Sequence, residues 1–173
     1  DSGCGDGYAS KQFAKRGAAH VNSYDPSAPI VLDYVDERIS TFNSIEYIET
    51  FCDIAWTHHV IEHVHSPETY LSTLRNQLRD DGELWLTCPN TATHSTFSYG
   101  HVHNFTIANM VLTLQKACFG VEDIKWMLTA GQLRVRVPRL GGLELPKPFK
   151  RLLERNQHFP VGALPQTWRW NEE

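Results

Sequence analysis

The stretch DSGCGDG at residues 1–7 decides the fold, because it places glycines at positions 3, 5 and 7. Glycine has no Cβ, so a loop of this kind lets a ligand approach the backbone where the next helix begins. Good helix formers follow from Tyr8 to Arg16, and Gly17 is a typical C-terminal stop. The opening of the chain therefore predicts a ligand-binding loop that leads into a helix.

Beyond this loop, short strand-like segments alternate with helical patterns. The candidate strands are His20–Asp25, Ile39–Phe42, Asp53–Thr57, Glu83–Cys88, Val121–Trp126 and Leu133–Val137. One helix is expected after Ser66, with Pro67 at its first position, and another from about Thr106 to Cys118. A turn is predicted at 80–82. The pattern predicts a doubly wound, mostly parallel α/β sheet that ends in an antiparallel hairpin, with its ligand at the carboxyl ends of the strands.

Composition narrows the class of protein. A chain of 173 residues that is 41% hydrophobic and 21% charged is typical of one globular domain. The net charge of −4 gives no basic surface for nucleic acid, so a nucleic-acid partner is not expected. The four cysteines are far apart, without the spacing of a disulfide framework or a zinc site, and no apolar run is long enough to span a membrane. We therefore expect a cytoplasmic protein without a membrane partner.

Asp25 makes the glycine-rich loop more specific. It ends the strand that follows the first helix, where an acidic side chain can accept hydrogen bonds from ribose hydroxyls. The loop has the spacing G-x-G-x-G. Dinucleotide enzymes have G-x-G-x-x-G, and the extra residue in their loop leaves room for a pyrophosphate. The loop and Asp25 together indicate an adenosyl ligand without a pyrophosphate.

The sequence DSGCGDG resembles the first motif of class I S-adenosylmethionine-dependent methyltransferases. Residues 52–90 are similar to the fourth and fifth strand regions of small-molecule methyltransferases, a group that includes the ubiquinone-biosynthesis O-methyltransferases, and residues 100–106 are similar to a later substrate-side loop of that group. The resemblance implies a methyltransferase core at 1–137 and leaves 138–173 as an extension of unknown role. It also implies S-adenosylmethionine as cofactor and a small-molecule substrate, with oxygen as the expected acceptor atom.

The resemblance also assigns cofactor-binding residues by position. Gly3, Cys4 and Gly5 are expected to hold the amino-acid portion of the cofactor, with Asp1 near its ammonium group, while Asp25 and Pro26 lie at the ribose. The family often has an acidic residue near the adenine, where this chain has Asn43 and Ser44. Thr57 and His58, at the end of the fourth strand of the family, are expected to border the methyl-transfer cleft. The full set is Asp1, Gly3, Cys4, Gly5, Asp25, Pro26, Asn43, Ser44, Thr57 and His58.

Histidines are concentrated in two places that the family folds over the same cleft. Four of them, His58, His59, His63 and His65, lie close together, and His101 and His103 lie on the later loop. Histidine has an ordinary pKa of about 6.5, which suits removal of a hydroxyl proton at neutral pH. We predict that His63 is the general base, with His59 as the second candidate. A structural histidine is the alternative, since methyl transfer can proceed through alignment of the reactants alone.

The sequence is compatible with two other functions. The segment from His59 to His63 resembles the Glu-x-x-Glu-His element of small-RNA 2'-O-methyltransferases, which bind a divalent ion together with a later histidine. Here His59 replaces the first glutamate, and His101 or His103 would be the later ligand. Hydrogen-bonded or solvated histidines are the simpler interpretation, so no metal ligand is predicted. The second alternative is a non-catalytic interaction module.

Both ends of the sequence carry a further prediction. In the family, the aspartate of the first motif follows a central strand, so we expect upstream residues that precede Asp1. The aromatic and basic segment that includes 147–155 and 168–170 could pack on the sheet, cover the substrate or join a second copy of the chain. Packing is the preferred interpretation, and a homo-oligomer is kept among the expected partners.

Overall fold

The computed structural model describes residues 1–27, 36–89, 100–121, 123–127 and 132–138. The helices are α1 (Tyr8–Lys15), α2 (Pro67–Gln77) and α3 (Ile107–Lys116), and a short 3-10 helix covers Ile45–Tyr47. The strands are β1 (Val21–Tyr24), β2 (Ile39–Phe42), β3 (Cys52–His58), β4 (Leu78–Pro89), β5 (Asp123–Met127) and β6 (Gln132–Pro138).

The described strands form two groups. Strands β1 and β2 are a parallel pair, and a four-stranded group has the order β3-β4-β6-β5. Strands β3 and β4 are parallel, whereas β6 is antiparallel to both β4 and β5. This is the predicted Rossmann-like arrangement with a closing antiparallel hairpin, present here as a partial sheet.

The two groups of strands meet at residues 1–3. The Tyr24 amide donates to the Asp1 carbonyl at 2.9 Å, and the Gly3 amide donates to the Tyr24 carbonyl at 2.8 Å. On the other side, the Ser2 amide donates to the Trp56 carbonyl of β3 at 2.8 Å. Because Ser2 bridges both β1 and β3 in parallel fashion, the glycine-rich loop starts at the centre of the sheet. Its position at the carboxyl ends of the strands is where doubly wound folds bind their ligands.

The main core lies around the four-stranded group. Helices α2 and α3 each bury one apolar face, including Leu71 and Leu74 on α2 and Met110 and Leu114 on α3. These side chains pack with buried residues of β4 and with Ile61, all in one hydrophobic cluster. Ile61 is fully buried and lies between His59 and His63, so the histidine-rich segment is anchored in the core.

The element boundaries agree with the sequence predictions in most places. Ser66 is the residue before α2 and Pro67 begins it, while Thr106 caps α3 and accepts a hydrogen bond from the Asn109 amide. One prediction was wrong: residues 80–82 are not a separate turn but lie within β4, where the register against β3 shifts between Cys52 and Ile54. The bulge absorbs the polar DDG segment without ending the strand.

The structure bears differently on the predicted C-terminal extension and on the predicted lack of a membrane-spanning segment. The expected C-terminal extension, apart from Pro138, lies outside the described residues. In the part of the chain that the structure describes, no helix is long and apolar enough to cross a membrane.

Candidate functional site

The glycine-rich loop combines one closely packed glycine with one open glycine. Gly3 has a φ of 74°, and a Cβ placed there would lie 2.1 Å from Cγ2 of Val60. Gly5 has a φ of 52°, but a Cβ placed there would meet nothing within 4 Å. Gly3 is therefore required by packing against the turn after β3. Gly5 leaves open space beside the backbone, as a ligand-binding loop needs.

Asp25 is bound directly to this loop. Its Oδ2 accepts a hydrogen bond from the Gly5 amide at 2.9 Å, and its Oδ1 accepts one from the Ser27 amide at 2.8 Å. Each carboxylate oxygen has two acceptor sites, so the geometry leaves further acceptor capacity on the side chain. The structure thus brings Gly5 and Asp25 together, as the sequence predicted, and Pro26 follows in the exposed turn.

Asn43 and Ser44 lie at the end of the neighbouring strand. The Asp25 amide donates to the carbonyl of Phe42, the last residue of β2, at 3.1 Å. Asn43 is exposed, and Ser44 precedes the short 3-10 helix. Both predicted adenine contacts therefore follow a strand whose end is hydrogen-bonded to Asp25. An amide and a hydroxyl at this edge can both donate and accept hydrogen bonds.

Asp1 is held by a chain of buried hydroxyls. The Ser10 hydroxyl donates to Oδ2 of Asp1 at 2.6 Å and accepts from the Ser23 hydroxyl at 2.6 Å. Ser10 and Ser23 have no exposed surface. Helix α1 and strand β1 therefore fix the carboxylate of Asp1 next to the loop, where it can carry one negative charge toward a cationic ligand.

Cys4 is predicted as a cofactor-binding residue, and its thiol is buried. Burial raises the pKa of this thiol to about 11, and the nearby carboxylate of Asp25 contributes to the rise. The side chain is therefore a neutral thiol at neutral pH. What Cys4 can offer a ligand is its place in the backbone, where its amide already donates to the Tyr24 carbonyl at 3.0 Å.

Thr57 and His58 differ in their surroundings although they are adjacent. Thr57 is 1% exposed, and its hydroxyl is hydrogen-bonded to the Tyr70 hydroxyl at 2.8 Å. His58 is exposed, its ring stacks on Trp56, and its Nδ1 is hydrogen-bonded to the Thr87 hydroxyl. The side chain of Thr57 thus faces α2, whereas His58 stands at the surface of the strand end.

Tyr70 is a residue of the site that was not predicted from the sequence. Its hydroxyl is hydrogen-bonded to both Ser2 and Thr57, at 2.8 Å each. Burial raises the pKa of Tyr70 to about 12. Tyr70 therefore fixes the start of the glycine-rich loop to the end of β3. A hydroxyl on an otherwise apolar helix face was the available signal.

The turn at residues 59–63 carries two of the predicted catalytic side chains. His59 has a φ of 55°, and its Nδ1 lies 3.0 Å from Oε1 of Glu62. Nδ1 of His63 lies 2.9 Å from the carbonyl oxygen of Gly100. In each ring a protein acceptor on Nδ1 fixes the tautomer that has its lone pair on Nε2. In this tautomer, Nε2 of each ring is the acceptor nitrogen.

The later loop is hydrogen-bonded to this turn. The amides of Val102 and His103 both donate to the Glu62 carbonyl, at 2.8 and 3.1 Å. The rings of His63 and His101 lie 4.7 Å apart, whereas Nε2 of His103 is hydrogen-bonded to the His65 carbonyl at 3.2 Å. Residues 59–63 and 100–103 therefore form one unit, which we call the histidine turn.

The histidine turn also rests on the glycine-rich loop. Val60, which packs against Gly3, accepts through its carbonyl a hydrogen bond from the His63 amide at 2.9 Å. The turn that carries these imidazoles is therefore joined, through Val60, to the loop that the sequence assigns to the cofactor. Of the predicted site residues, the structure groups Asp1, Gly5, Asp25 and Asn43 at the strand ends, and it places His59 and His63 in the turn whose Val60 contacts Gly3.

Several solved structures share the fold. A methyltransferase of Haloferax volcanii, solved with the Trm112 methyltransferase activator, is 14% identical with a TM-score of 0.71, and the match covers 81% of each chain. An S-adenosylmethionine-dependent methyltransferase of Mesorhizobium loti is 15% identical with a TM-score of 0.69, covering 80% of this chain and 89% of the other.

A further similar structure contains ligands. The 1,6-didemethyltoxoflavin-N1-methyltransferase of Burkholderia thailandensis, with bound 1,6-didemethyltoxoflavin and S-adenosylhomocysteine, is 20% identical with a TM-score of 0.66. The match covers 81% of this chain and 69% of that protein. No curated protein matches the chain significantly.

The family is established by a different comparison. The methyltransferase domain family matches residues 1–136, which is most of the 173-residue chain. The non-catalytic alternative is therefore not retained. The chain belongs to the methyltransferase domain family, and the prediction of an S-adenosylmethionine-dependent methyltransferase is confirmed.

Proposed function

We propose that the enzyme transfers the methyl group of S-adenosylmethionine to an oxygen atom of a small molecule. The observation that carries this proposal is the contact between the histidine turn and the glycine-rich loop, through Val60 and Gly3. This contact supports a position of His59 and His63 near the expected methyl donor, because both residues lie in the same turn as Val60. Oxygen acceptors benefit from a base because their proton must leave as the methyl group arrives.

The residues at the strand ends fit the cofactor by their chemistry. Asp25 has remaining acceptor capacity for ribose hydroxyls, and the open space beside Gly5 admits a ligand against the backbone. Asp1 supplies a carboxylate for an ammonium group, while Asn43 and Ser44 supply polar groups for the adenine. When bound, S-adenosylmethionine supplies a methyl group on a sulfonium that a nucleophile can take in line.

The protein's part in the reaction is alignment and proton removal. Bound S-adenosylmethionine would supply its methyl group to the acceptor oxygen as the carbon–sulfur bond breaks, and would leave as a neutral thioether. The hydroxyl proton passes to Nε2 of an imidazole. His63 is the first candidate from the sequence, but His59 is better supported by contacts because the carboxylate of Glu62 faces its Nδ1. A carboxylate partner orients the ring and stabilises its protonated form, as in other His–carboxylate pairs.

The setting of the reaction is also proposed. All four cysteines are free thiols, which supports a reducing cytoplasm as the location. The domain boundary near residue 137 and a homo-oligomer stay predictions.

The experiment is a methyl-transfer assay with labelled S-adenosylmethionine on a panel of phenols, aliphatic alcohols, amines and short RNA ends. We expect transfer to hydroxyl compounds, and a fall in kcat of about 10²-fold or more in His59→Gln. His20→Gln, which changes an exposed histidine away from this turn, is the matched control and should keep full activity. Methylation restricted to amines or to RNA ends would refute the proposed acceptor.

A further inference from the structure

Glu62 contains the most unusual polar atom among the described residues. Its side chain is 1% exposed, and its two carboxylate oxygens differ. Oε1 lies 3.0 Å from Nδ1 of His59. Oε2 is buried and has no hydrogen-bond partner within the part of the chain that the structure describes. Burying a carboxylate oxygen without a partner costs folding free energy, and a bound ligand would remove that cost.

Two imidazoles lie next to that carboxylate. Glu62, His63 and His101 each offer one ligand atom, and these atoms all lie within 4.8 Å of one another. Two ligand atoms that each lie about 2.1 Å from a tetrahedral ion are about 3.4 Å apart. Binding would therefore require the longest distance between the candidate ligand atoms to shorten by roughly 1 Å. His63 is exposed and His101 is half-buried, so their side chains have room to rotate.

The surroundings of His63 prepare it as a ligand. Its Nδ1 is hydrogen-bonded to the Gly100 carbonyl at 2.9 Å, which leaves the lone pair on Nε2. Histidines that bind metals regularly donate their other ring N–H to a backbone carbonyl in this way. A Cβ added at Gly100 would lie 3.4 Å from Nδ1 of His63, so the backbone closely approaches the ring there. Gly100 also has a φ of 88°, a conformation that favours glycine.

The backbone holds the three candidate ligands together independently of any ion. The Glu62 carbonyl accepts hydrogen bonds from the amides of Val102 and His103, the two residues that follow His101. Glu62 and His63 are adjacent, and Ile61 anchors them in the core. The group is therefore preorganised by two segments that are distant in sequence.

We propose that Glu62, His63 and His101 form a binding site for a single divalent transition-metal ion, with Zn²⁺ as its typical occupant. Imidazole nitrogens favour zinc and similar ions, whereas Mg²⁺ prefers an all-oxygen octahedral environment. Three protein ligands leave a position open for an exogenous oxygen. The site goes beyond the proposed function, since metal binding does not require that the acceptor be an oxygen compound. In this arrangement His63 is a ligand, and His59 alone serves as base.

The test measures binding of the metal alone. Chelator-treated protein is dialysed against Zn²⁺, or against Mg²⁺ at the same concentration, and bound metal is quantified for the wild type and for His63→Gln, His101→Gln and Glu62→Gln. We expect about one Zn²⁺ per chain in the wild type and a loss of affinity of at least tenfold in each variant. His20→Gln and His65→Gln, which change histidines outside the group, should bind as the wild type does.

A second measurement guards against misfolding of the Glu62 variant. Zn²⁺ should raise the Tm of the wild type and of His65→Gln, but not that of His101→Gln, whose half-buried side chain can be replaced without loss of the core. Wild-type zinc binding that is unchanged in His101→Gln, equal binding of Mg²⁺, or no zinc bound to the wild type would overturn the proposal. Neither measurement uses a methyl acceptor, so failure of the proposed function would leave its results unaffected.

Discussion

The two halves of the site are constructed differently. At the cofactor edge, which comprises residues 1–7 and Asp25, most contacts are made by the backbone: residues 1–3 bridge β1 and β3, and the Gly5 amide is bound by Asp25. In the histidine turn, hydrogen bonds join segments as far apart as His63 and Gly100, both through the His63 ring and through the backbone of Glu62 and residues 102–103. A site within one short segment can be identified from local sequence, whereas a site made by two distant segments depends on how those segments meet.

The largest expected effect comes from Gly3→Ala, which tests whether the two halves are packed together. The new Cβ would meet the stiff side chain of Val60, at a residue with positive φ. We expect a loss of stability on the order of 3 kcal/mol or more. Urea unfolding followed by circular dichroism measures it. Adding Val60→Ala should restore part of the loss, and no recovery would mean that the contact is not the cause.

Gly5→Ala is the matched variant at the cofactor edge. A Cβ at Gly5 meets no protein atom, so the loss of stability should be limited to about 1 kcal/mol from its positive φ. The methyl group would instead occupy the space assigned to the cofactor. We expect weaker binding of S-adenosylhomocysteine by about tenfold or more, measured by calorimetry. Unchanged binding together with strong destabilisation would reverse the roles assigned to Gly3 and Gly5.

Tyr70 links the cofactor edge to β3, and its removal should have an intermediate effect. Tyr70→Phe leaves the buried hydroxyls of Ser2 and Thr57 without their shared partner, at a cost of about 1–3 kcal/mol. The effect should depend on pH. The folded-state pKa of Tyr70 is about 12, above its ordinary value near 10.

The pH dependence of the unfolding free energy has a definite sign because, as the pH rises, the unfolded chain loses the Tyr70 proton at a lower pH than the folded protein does. The stabilisation from Tyr70 is therefore fully present below about pH 10 and declines as the pH rises toward 12. The difference in unfolding free energy between the wild type and Tyr70→Phe should narrow over that range. A constant difference between pH 9 and 11.5 would contradict the buried position of the hydroxyl.

The smallest effect concerns the cysteines. Burial raises the pKa of both Cys4 and Cys88, so neither thiol ionises at pH 8, whereas Cys118 is exposed. Because the thiolate is the reactive form, iodoacetamide should label Cys118 much faster than Cys4 in the folded protein. Peptide mass spectrometry measures the rates. Rapid labelling of Cys4 would show that the glycine-rich loop opens readily.

The comparison also explains what the sequence could predict. The loop, the strand before Asp25 and the start of the helix after Ser66 were correctly placed because each depends on neighbouring residues and their spacing. The link through Tyr70 was missed because its one local signal, a hydroxyl on a helix face, does not indicate that Ser2 and Thr57 are its partners. The choice of His101 over His103 beside His63 was also beyond the sequence, since backbone hydrogen bonds to Glu62 determine how the later loop is seated.

The turn predicted at 80–82 failed for a related reason. Asp80, Asp81 and Gly82 are typical turn residues, but the pairing of β4 with β3 continues past them through a change of register. Long-range strand pairing thus overrode a local turn preference.

The most direct test of the central claim is a calorimetric titration of the wild type, Asp25→Ala and Asp53→Ala with S-adenosylhomocysteine. Asp53 is an exposed acid near the amino end of β3 and serves as the control. We predict micromolar binding by the wild type and by Asp53→Ala, and binding at least tenfold weaker by Asp25→Ala, from loss of charged hydrogen bonds. Equal affinity of all three proteins would contradict the claim that Asp25 and the glycine-rich loop bind one adenosyl group.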